Sequence, residues 1–307
     1  MRKYIIAVDL GGTNLKAALI DSKLKIIRKE AFSTKRFAKK GELLQAIVDA
    51  VDSLILKFQL KKSQILGVGL GLPGPIDVDK GLVHFLPNIP GWKHVKLRYI
   101  LQKRIQCKVS LDNDANLMSL AEHRLGAAKG SRNAICLTLG TGVGSGVIIE
   151  GVLYRGSSYA AGELGHMPLN FDGPRCSCKG IACLEKYIGN AEIQKQAEAV
   201  FKRKITLEEL SSLAREGNSR AIGIWRKIGE YLGVGLTQVV NLLNPDCIVI
   251  GGGVSAAGKI LFDSVKRTVR QRAMSVQARA VRIKRSLLGS DAGLIGAAIL
   301  VKEGLGK

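Results

Sequence analysis

At 307 residues, with 46% apolar and 23% charged side chains, the chain has ordinary globular composition and length enough for two domains. Lys plus Arg exceed Asp plus Glu by 22, a balance that attracts polyanions. The basic residues are dispersed, however, and the densest groups, Lys35 to Lys40 and Arg267 to Arg285, lack both aromatic interleaving and any helix-turn-helix or C2H2 pattern, so no nucleic-acid partner is expected. The apolar run Tyr4 to Leu10 is broken by Asp9 and followed by glycines, unlike a signal peptide, and the longest late run, Ala292 to Val301, is too short to cross a bilayer. A secreted disulfide framework and a membrane partner are set aside on those grounds, and a cytoplasmic location is expected.

Ile5 to Leu10 and Leu15 to Asp21 are β-prone runs joined by Gly11-Gly12-Thr13-Asn14, which predicts an opening hairpin. Asp9, just before those backbone donors and the Thr13 hydroxyl, suits either a Mg-nucleotide corner or a plain turn. Leu43, Leu44, Ile47, Val51, Leu54, Ile55 and Phe58 follow 3,4 spacing and predict an amphipathic helix. Ile65 to Leu72 reads as a strand ending in Pro73-Gly74-Pro75, and Pro87 to Trp92 as a second proline-fixed loop. Val109 to Leu111 is a short strand running into Asp112-Asn113-Asp114-Ala115-Asn116 and a helix over Leu117 to Leu125; the polar cluster reads as helix caps or as a site.

Ile135 to Gly151 repeats the opening with a shift of 129, placing Asp9, Gly11 and Ile20 on Thr138, Gly140 and Ile149. Strand, Leu-Gly turn and second strand recur in order, which argues for two related halves, each opening with a hairpin. Further on, Ile224, Ile228, Leu232, Leu236, Val239, Val240 and Leu243 draw one stripe of a long helix stopped at Asn244-Pro245. Cys247 to Ile250 forms a short strand entering Gly251-Gly252-Gly253, where backbone can lie close to a nucleotide, and Ala292 to Lys302 reads as a terminal helix that could return to the first lobe.

The window from Leu139 to Glu185 carries most of the chemistry. Gly140, Gly142, Gly144 and Gly146 alternate after an apolar run, and bare backbone N–H groups in such a turn can approach a phosphate closely. Glu163 and His166 then stand three positions apart, followed by Cys176, Cys178 and Cys183. Three thiols and an imidazole are what a closed tetrahedral Zn2+ site takes, so a structural zinc is expected. The remaining cysteines, Cys107, Cys136 and Cys247, lie in apolar, strand-like runs and read as small core residues.

These motifs together resemble the ROK family (repressors, open reading frames, sugar kinases) of the actin-like ATPase superfamily. The resemblance rests on Asp9 to Thr13, Gly71-Leu72-Pro73-Gly74-Pro75, Asp112 to Asn116, Leu139 to Gly144, Ala161 to His166 and Cys176 to Glu185, six motifs in order over nearly the whole chain. It implies an α/β, two-lobed, duplicated ribonuclease-H-like fold with a cleft between lobes. Residues 1–115, completed by 291–307, would form the small lobe, and 116–290 the large lobe with a zinc-binding insertion at 166–185. It further implies Asp114 as catalytic base, with Gly74, Asn113, Glu163, His166 and Glu185 on the sugar hydroxyls. Gly11, Gly12, Thr13, Thr141, Gly142 and Gly252 would line the ATP phosphates, Asp9 would lie near Mg2+, and His166, Cys176, Cys178 and Cys183 would hold zinc. A homodimer is expected on the same ground.

That allocation suits phosphoryl transfer, which asks a protein mainly for positioning and charge neutralisation. A carboxyl of ordinary pKa, about 4, is already ionised at neutral pH and ready to accept a proton late in the reaction. The implied activity is ATP-dependent phosphorylation of a hexose 6-hydroxyl, glucose first, with N-acetylmannosamine or N-acetylglucosamine as alternatives because Asp112 stands where many glucokinases have Glu. A non-catalytic sugar-sensing regulator is the reading from a different class. It is disfavoured because Asp114 is kept and only Met1-Arg2-Lys3 precede the first hairpin, where the repressor branch carries a helix-turn-helix. The chain also departs from the family's Cys-Gly-x-x-Gly-Cys turn: Cys178-Lys179-Gly180-Ile181-Ala182-Cys183 keeps the ligand spacing and loses both glycines.

Overall fold

A computed structural model describes residues 2–11, 14–33, 39–86 and 91–305. Gly12, Thr13, most of the Lys35–Lys40 cluster and Pro87 to Pro90 of the second proline loop lie outside the described residues. In chain order the elements are β1 (Tyr4–Leu10), β2 (Asn14–Asp21), β3 (Ile26–Ser33), α1 (Lys40–Lys57), β4 (Ile65–Leu72), β5 (Ile76–Asp77), β6 (Leu82–Phe85), β7 (Lys93–Val95), α2 (Leu97–Ile105), β8 (Val109–Asn113) and α3 (Asp114–Leu125). They continue with β9 (Ala134–Leu139), β10 (Val143–Ile149), β11 (Val152–Tyr154), α4 (Glu185–Ile188), α5 (Asn190–Phe201), α6 (Leu207–Arg215), α7 (Ser219–Leu243), β12 (Cys247–Gly251), α8 (Lys259–Arg272), α9 (Ser275–Ala280), β13 (Arg282–Arg285) and α10 (Ala292–Glu303). The chain divides into two units, one of Met1–Ala121, Leu153–Ala161 and Ser290–Lys307, the other of Glu122–Val152 and Gly162–Gly289.

Each unit is built on the same five-stranded sheet, ordered β3-β2-β1-β4-β8 in the first and β11-β10-β9-β12-β13 in the second. In both, the opening pair is an antiparallel hairpin, and two strands, β4 and β8 in the first sheet and β12 and β13 in the second, extend it in parallel from its first strand. The 129-residue repeat is visible in the register: Asp9 lies opposite Gly71, and its counterpart Thr138 lies opposite Gly251. This is the duplicated ribonuclease-H-like α/β fold of the actin-like ATPases.

In the first unit the 3,4-spaced face of α1 is buried at Leu43, Leu44, Ile47, Val51 and Leu54 against one side of the sheet, whose residues there include Ile6, Val8, Val68, Leu70 and Leu111. The other side, Ile5, Ala7, Ala18 and Ile20, is covered by Leu294, Ala297, Ala298 and Val301 of α10. Alternating strand residues thus feed two cores, as a sheet covered on both faces requires. Contact between α10 and β4 is close because position 69 is glycine: a Cβ there would stand 2.2 Å from the Ala297 carbonyl oxygen.

In the second unit α7 opens at Asn218, whose side chain accepts hydrogen bonds from Arg220 N and Ala221 N, and closes at Asn244 in the left-handed conformation before Pro245. Its predicted stripe is buried from Ile224 to Val240, but Leu243, in the last turn, is exposed. Cys136 and Cys247 are core residues as expected. Cys107 is not in a strand; it is half-buried in the turn between α2 and β8, because the β8 ladder only begins at Val109.

Candidate active site

In the first unit, the ends of β1, β4 and β8 bring Asp9, Gly71 and Asp112 into one row across the sheet. A Cβ at Gly71 would meet Asp9 Oδ1 at 3.2 Å and Asp114 Cα at 3.7 Å, so the glycine stands between the two acids that the sequence singled out. On the other side, a Cβ at Gly293, in the first turn of α10, would fall 2.7 Å from the Asp9 carboxyl carbon. The Asp9 carboxylate therefore occupies a slot cut by two glycines. Desolvation in that slot raises its pKa, and the charge of Lys16 opposes the rise. A carboxylate flanked by glycine backbone has the donor chemistry that a hard divalent cation takes.

Asp114 begins α3 and is half-buried. The polar cluster is thus a strand end and a helix start, with Asn113 as cap: its Oδ1 accepts from Ala115 N at 2.9 Å and Asn116 N at 3.2 Å, while Nδ2 donates to the Gly74 carbonyl at 3.1 Å. Two donors on the amide nitrogen and one bond used leave one N–H for a ligand. Gly74 has φ 89°, a conformation open to glycine, so the Pro73-Gly74-Pro75 loop and the start of α3 are locked together. Asp112 is only 1% exposed and both its oxygens are engaged, Oδ1 by Asn113 N and Asn116 Nδ2, Oδ2 by the guanidinium of Arg155. It is an internal support for the start of α3.

In the second unit the β9–β10 turn places Thr141 exposed and Gly142 beside Glu185. Glu185 Oε2 accepts from Val143 N at 2.9 Å, and a Cβ at Gly142 would stand 2.5 Å from that oxygen. Gly142 therefore packs directly against the Glu185 carboxylate, a contact that the glycine alternation alone did not reveal. Gly252 has φ 80°, and a Cβ there would lie 2.1 Å from the Leu139 carbonyl, so the turn after β12 and the end of β9 meet backbone to backbone. Gly11, in the first unit, donates its N–H to Asn14 O at 2.9 Å, closing the described part of the first hairpin turn.

Glu163 and His166 sit on a short 3-10 turn held to β10 by the Ser145 hydroxyl, which donates to Gly162 O and accepts from Leu164 N at 3.3 Å. Glu163 Oε2 is 3.9 Å from His166 Nε2, and the other ring nitrogen, Nδ1, faces Cys176 Sγ at 3.7 Å. Cys178 Sγ and Cys183 Sγ are 3.6 Å apart, and the four donor atoms of His166, Cys176, Cys178 and Cys183 all lie within 4.8 Å of one another. Zn–S bonds of about 2.3 Å at the tetrahedral angle put sulfurs ~3.8 Å apart and sulfur ~3.5 Å from nitrogen, so the cluster has the dimensions of a zinc site. Burial resists ionisation of Cys176, but hydrogen bonds from Cys178, His166 and Ser177 outweigh it and bring the thiol to about 7. Burial first, then the neighbouring thiols, push Cys183 up to about 12. Sulfurs held this close without a cation cannot all ionise, which is the condition a metal relieves.

The turn between Cys178 and Cys183 holds two non-glycine residues in the left-handed region. Lys179 has φ 74° and Ala182 φ 55°, the two positions at which the family pattern has glycine. Gly180 serves a different purpose: its N–H donates to Cys178 Sγ at 3.4 Å, and a Cβ would stand 3.1 Å from Cys183 Sγ and 3.2 Å from Cys178 Sγ.

Arg155 and Tyr159 were not singled out in the sequence, because they lie in an aperiodic loop far from their partners Asp112 and Asp79. Among the described residues no helix is long and apolar enough to cross a membrane.

The ROK family model matches residues 5–304 of this chain. A glucokinase of Halalkalibacterium halodurans is 33% identical, the alignment covering 98% of this chain and 96% of the relative. A xylose repressor of Caldicellulosiruptor bescii is 29% identical over 97% of this chain but 77% of its own length. Among solved structures, the ROK family glucokinase of Streptomyces griseus in complex with glucose and AMPPNP is 30% identical, with TM-score 0.85 and coverage of 98% and 100% of the two chains. With its motifs, its doubled sheet and a match over nearly every residue in agreement, this chain belongs to the ROK family.

Proposed function

We propose that the protein is an ATP-dependent hexose kinase that transfers the γ-phosphoryl group to the 6-hydroxyl of glucose. The observation that carries this reading is Asp114: a half-buried carboxylate at the start of α3, with the adjacent cap residue holding one spare amide N–H, in a chain matching glucokinases from end to end. Asp114 would accept the proton of the attacking hydroxyl, and Asn113 would fix a neighbouring hydroxyl. Glu163, His166 and Glu185 would hold the others, since hydroxyls both donate and accept and are matched by carboxylates and an imidazole. Gly11, Gly12, Thr13, Thr141, Gly142 and Gly252 would line the ATP phosphates.

Asp9 would hold Mg2+, which when bound supplies charge neutralisation for the phosphates. His166, Cys176, Cys178 and Cys183 would hold a structural zinc that fixes the segment leading to Glu185 and leaves His166 Nε2 for a sugar hydroxyl. A homodimeric state belongs to the same reading.

The test is ADP release from Mg-ATP with glucose, N-acetylmannosamine, N-acetylglucosamine or no sugar, for the wild type and Asp114→Asn. Sugar-dependent turnover that drops by at least ~10³-fold in Asp114→Asn supports the reading, and the preferred sugar names the substrate. The similarity to xylose repressors favours a second reading, a sugar-binding regulator. That reading gains if calorimetry shows sugar binding while no sugar elicits turnover.

A further inference from the structure

Leu153 to Ala161 leaves the end of β11 and joins the first unit, and Arg155 is its only charged residue. Its guanidinium donates twice to Asp112 Oδ2, from Nε at 2.8 Å and Nη2 at 2.6 Å. The other oxygen of Asp112 accepts from Asn113 N at 2.7 Å and Asn116 Nδ2 at 3.0 Å. One buried carboxylate thus ties down residues 113 and 116, on either side of Asp114. Two neutral donors hold Oδ1; the charge itself is balanced by Arg155, whose fork matches a carboxylate as lysine's point charge does not. The segment is braced so that the guanidinium arrives in a fixed place: Ala161 N donates to Arg155 O at 3.0 Å, and the Tyr159 hydroxyl donates to the Asp79 carboxylate.

We propose that Arg155 is a positioning residue for phosphoryl transfer: through its two-pronged hold on Asp112 it fixes the first turn of α3 and thereby the direction of the Asp114 carboxylate. The inference rests on the kinase reading above. Without the guanidinium, Asp112 becomes a buried anion lacking a counter-charge, and it must take up a proton or turn towards water. Either change loosens Oδ1 from Asn113 N and Asn116 Nδ2, and Asp114, lying between them, loses its alignment with the attacking hydroxyl. Misplacement by about 1 Å is enough to cost roughly 100-fold in rate.

The experiment measures kcat, KM for sugar and KM for Mg-ATP, together with melting temperature, in wild type, Arg155→Lys, Arg155→Ala, Asp112→Asn and the double variant Arg155→Met/Asp112→Asn. Arg155→Ala is expected to lower kcat about 30- to 100-fold with KM for Mg-ATP within about twofold of wild type. Arg155→Lys should keep part of the activity, and added guanidinium ion should restore part of it to Arg155→Ala, a rescue that a merely structural arginine would not show. Because the two residues act as one device, the double variant should lose no more than the worse single variant. The double variant leaves no buried charge unpaired, so it carries the test if Arg155→Ala does not fold. A folded Arg155→Ala or double variant with wild-type kcat overturns the positioning role alone, as do losses that multiply in the double variant. A wild type inactive on every sugar overturns the kinase reading and this role with it.

Discussion

Lys179→Gly in the cysteine turn should stabilise the protein, although it removes a side chain. Lys179 is exposed and sits at φ 74°. A left-handed conformation costs a non-glycine residue about 1–2 kcal/mol, and glycine avoids that cost while giving up about 0.4–1 kcal/mol through the greater freedom of its unfolded chain. The difference, about 0.5–1 kcal/mol, corresponds to roughly 1–4 °C in melting temperature for a unit of this size. Ala182 offers the internal control. It has φ 55° but is fully buried, with its methyl group against Gly173. Glycine there relieves the same strain and loses a buried methyl worth about 0.8 kcal/mol, so Ala182→Gly should be close to neutral. Gly180→Ala would act through the proposed zinc ligands: its Cβ would press on two sulfurs at 3.1 and 3.2 Å, and zinc affinity should fall about tenfold. The assays are thermal melting of zinc-loaded protein and competition with a chromogenic chelator. A Lys179→Gly protein that melts below wild type, or a Gly180→Ala protein that binds zinc as tightly, would refute the reasoning.

Three further outcomes are expected. Asp9→Asn should abolish turnover yet raise the melting temperature at pH 7. Burial raises the folded-state pKa of Asp9, so its ionised form weakens the fold, and the stability it contributes is complete below the unfolded value of about 3.9 and lost as pH rises through the folded value. The gap between Asn variant and wild type should therefore close on acidification to about pH 4, and a gap independent of pH would contradict this account. Chelation of zinc should lower melting temperature and sugar turnover together, both recovering when zinc is restored; Cys178→Ser should do the same without chelator. Glu185→Gln, which keeps an oxygen able to accept from Val143 N, should raise KM for sugar by at least about tenfold while shifting stability by less than about 1 kcal/mol, read from sugar titrations and urea unfolding.

Much of the fold was legible because its signals are local. The stripe of α7 is set by side chains three and four apart, and the opening hairpins by apolar runs on either side of glycines. The doubling was legible through the 129-residue shift, since equal spacing of strand and turn predicts equal register, and Asp9–Gly71 and Thr138–Gly251 do pair alike. What was not legible depends on partners far away in the chain. Arg155 reaches Asp112 across 43 residues, and nothing in the Tyr154-Arg155-Gly156 loop marks it as more than a turn. Gly142 looked like a phosphate-loop glycine, and only the position of Glu185, 42 residues beyond Val143, shows what else it packs against. Cys107 was misread because an apolar neighbourhood does not distinguish a strand from the turn before it.

The two units also show how duplication separates scaffold from chemistry. The same register row carries Asp9 opposite Gly71 in one sheet and Thr138 opposite Gly251 in the other. A hydroxyl in that row can donate and accept with no charge to desolvate, whereas a carboxylate there is raised by burial and held open by glycines at 71 and 293. Only the second arrangement has the donor chemistry that a hard divalent cation takes. Because the two glycines leave room for the Asp9 carboxylate itself, a Cβ at position 293 would displace it, and Gly293→Ala should weaken Mg-ATP use while leaving sugar binding intact, as Mg-ATP and sugar titrations of that variant would reveal. Loss of sugar affinity in Gly293→Ala, with Mg-ATP use unchanged, would mean that the slot serves the sugar and that Asp9 has been assigned the wrong partner.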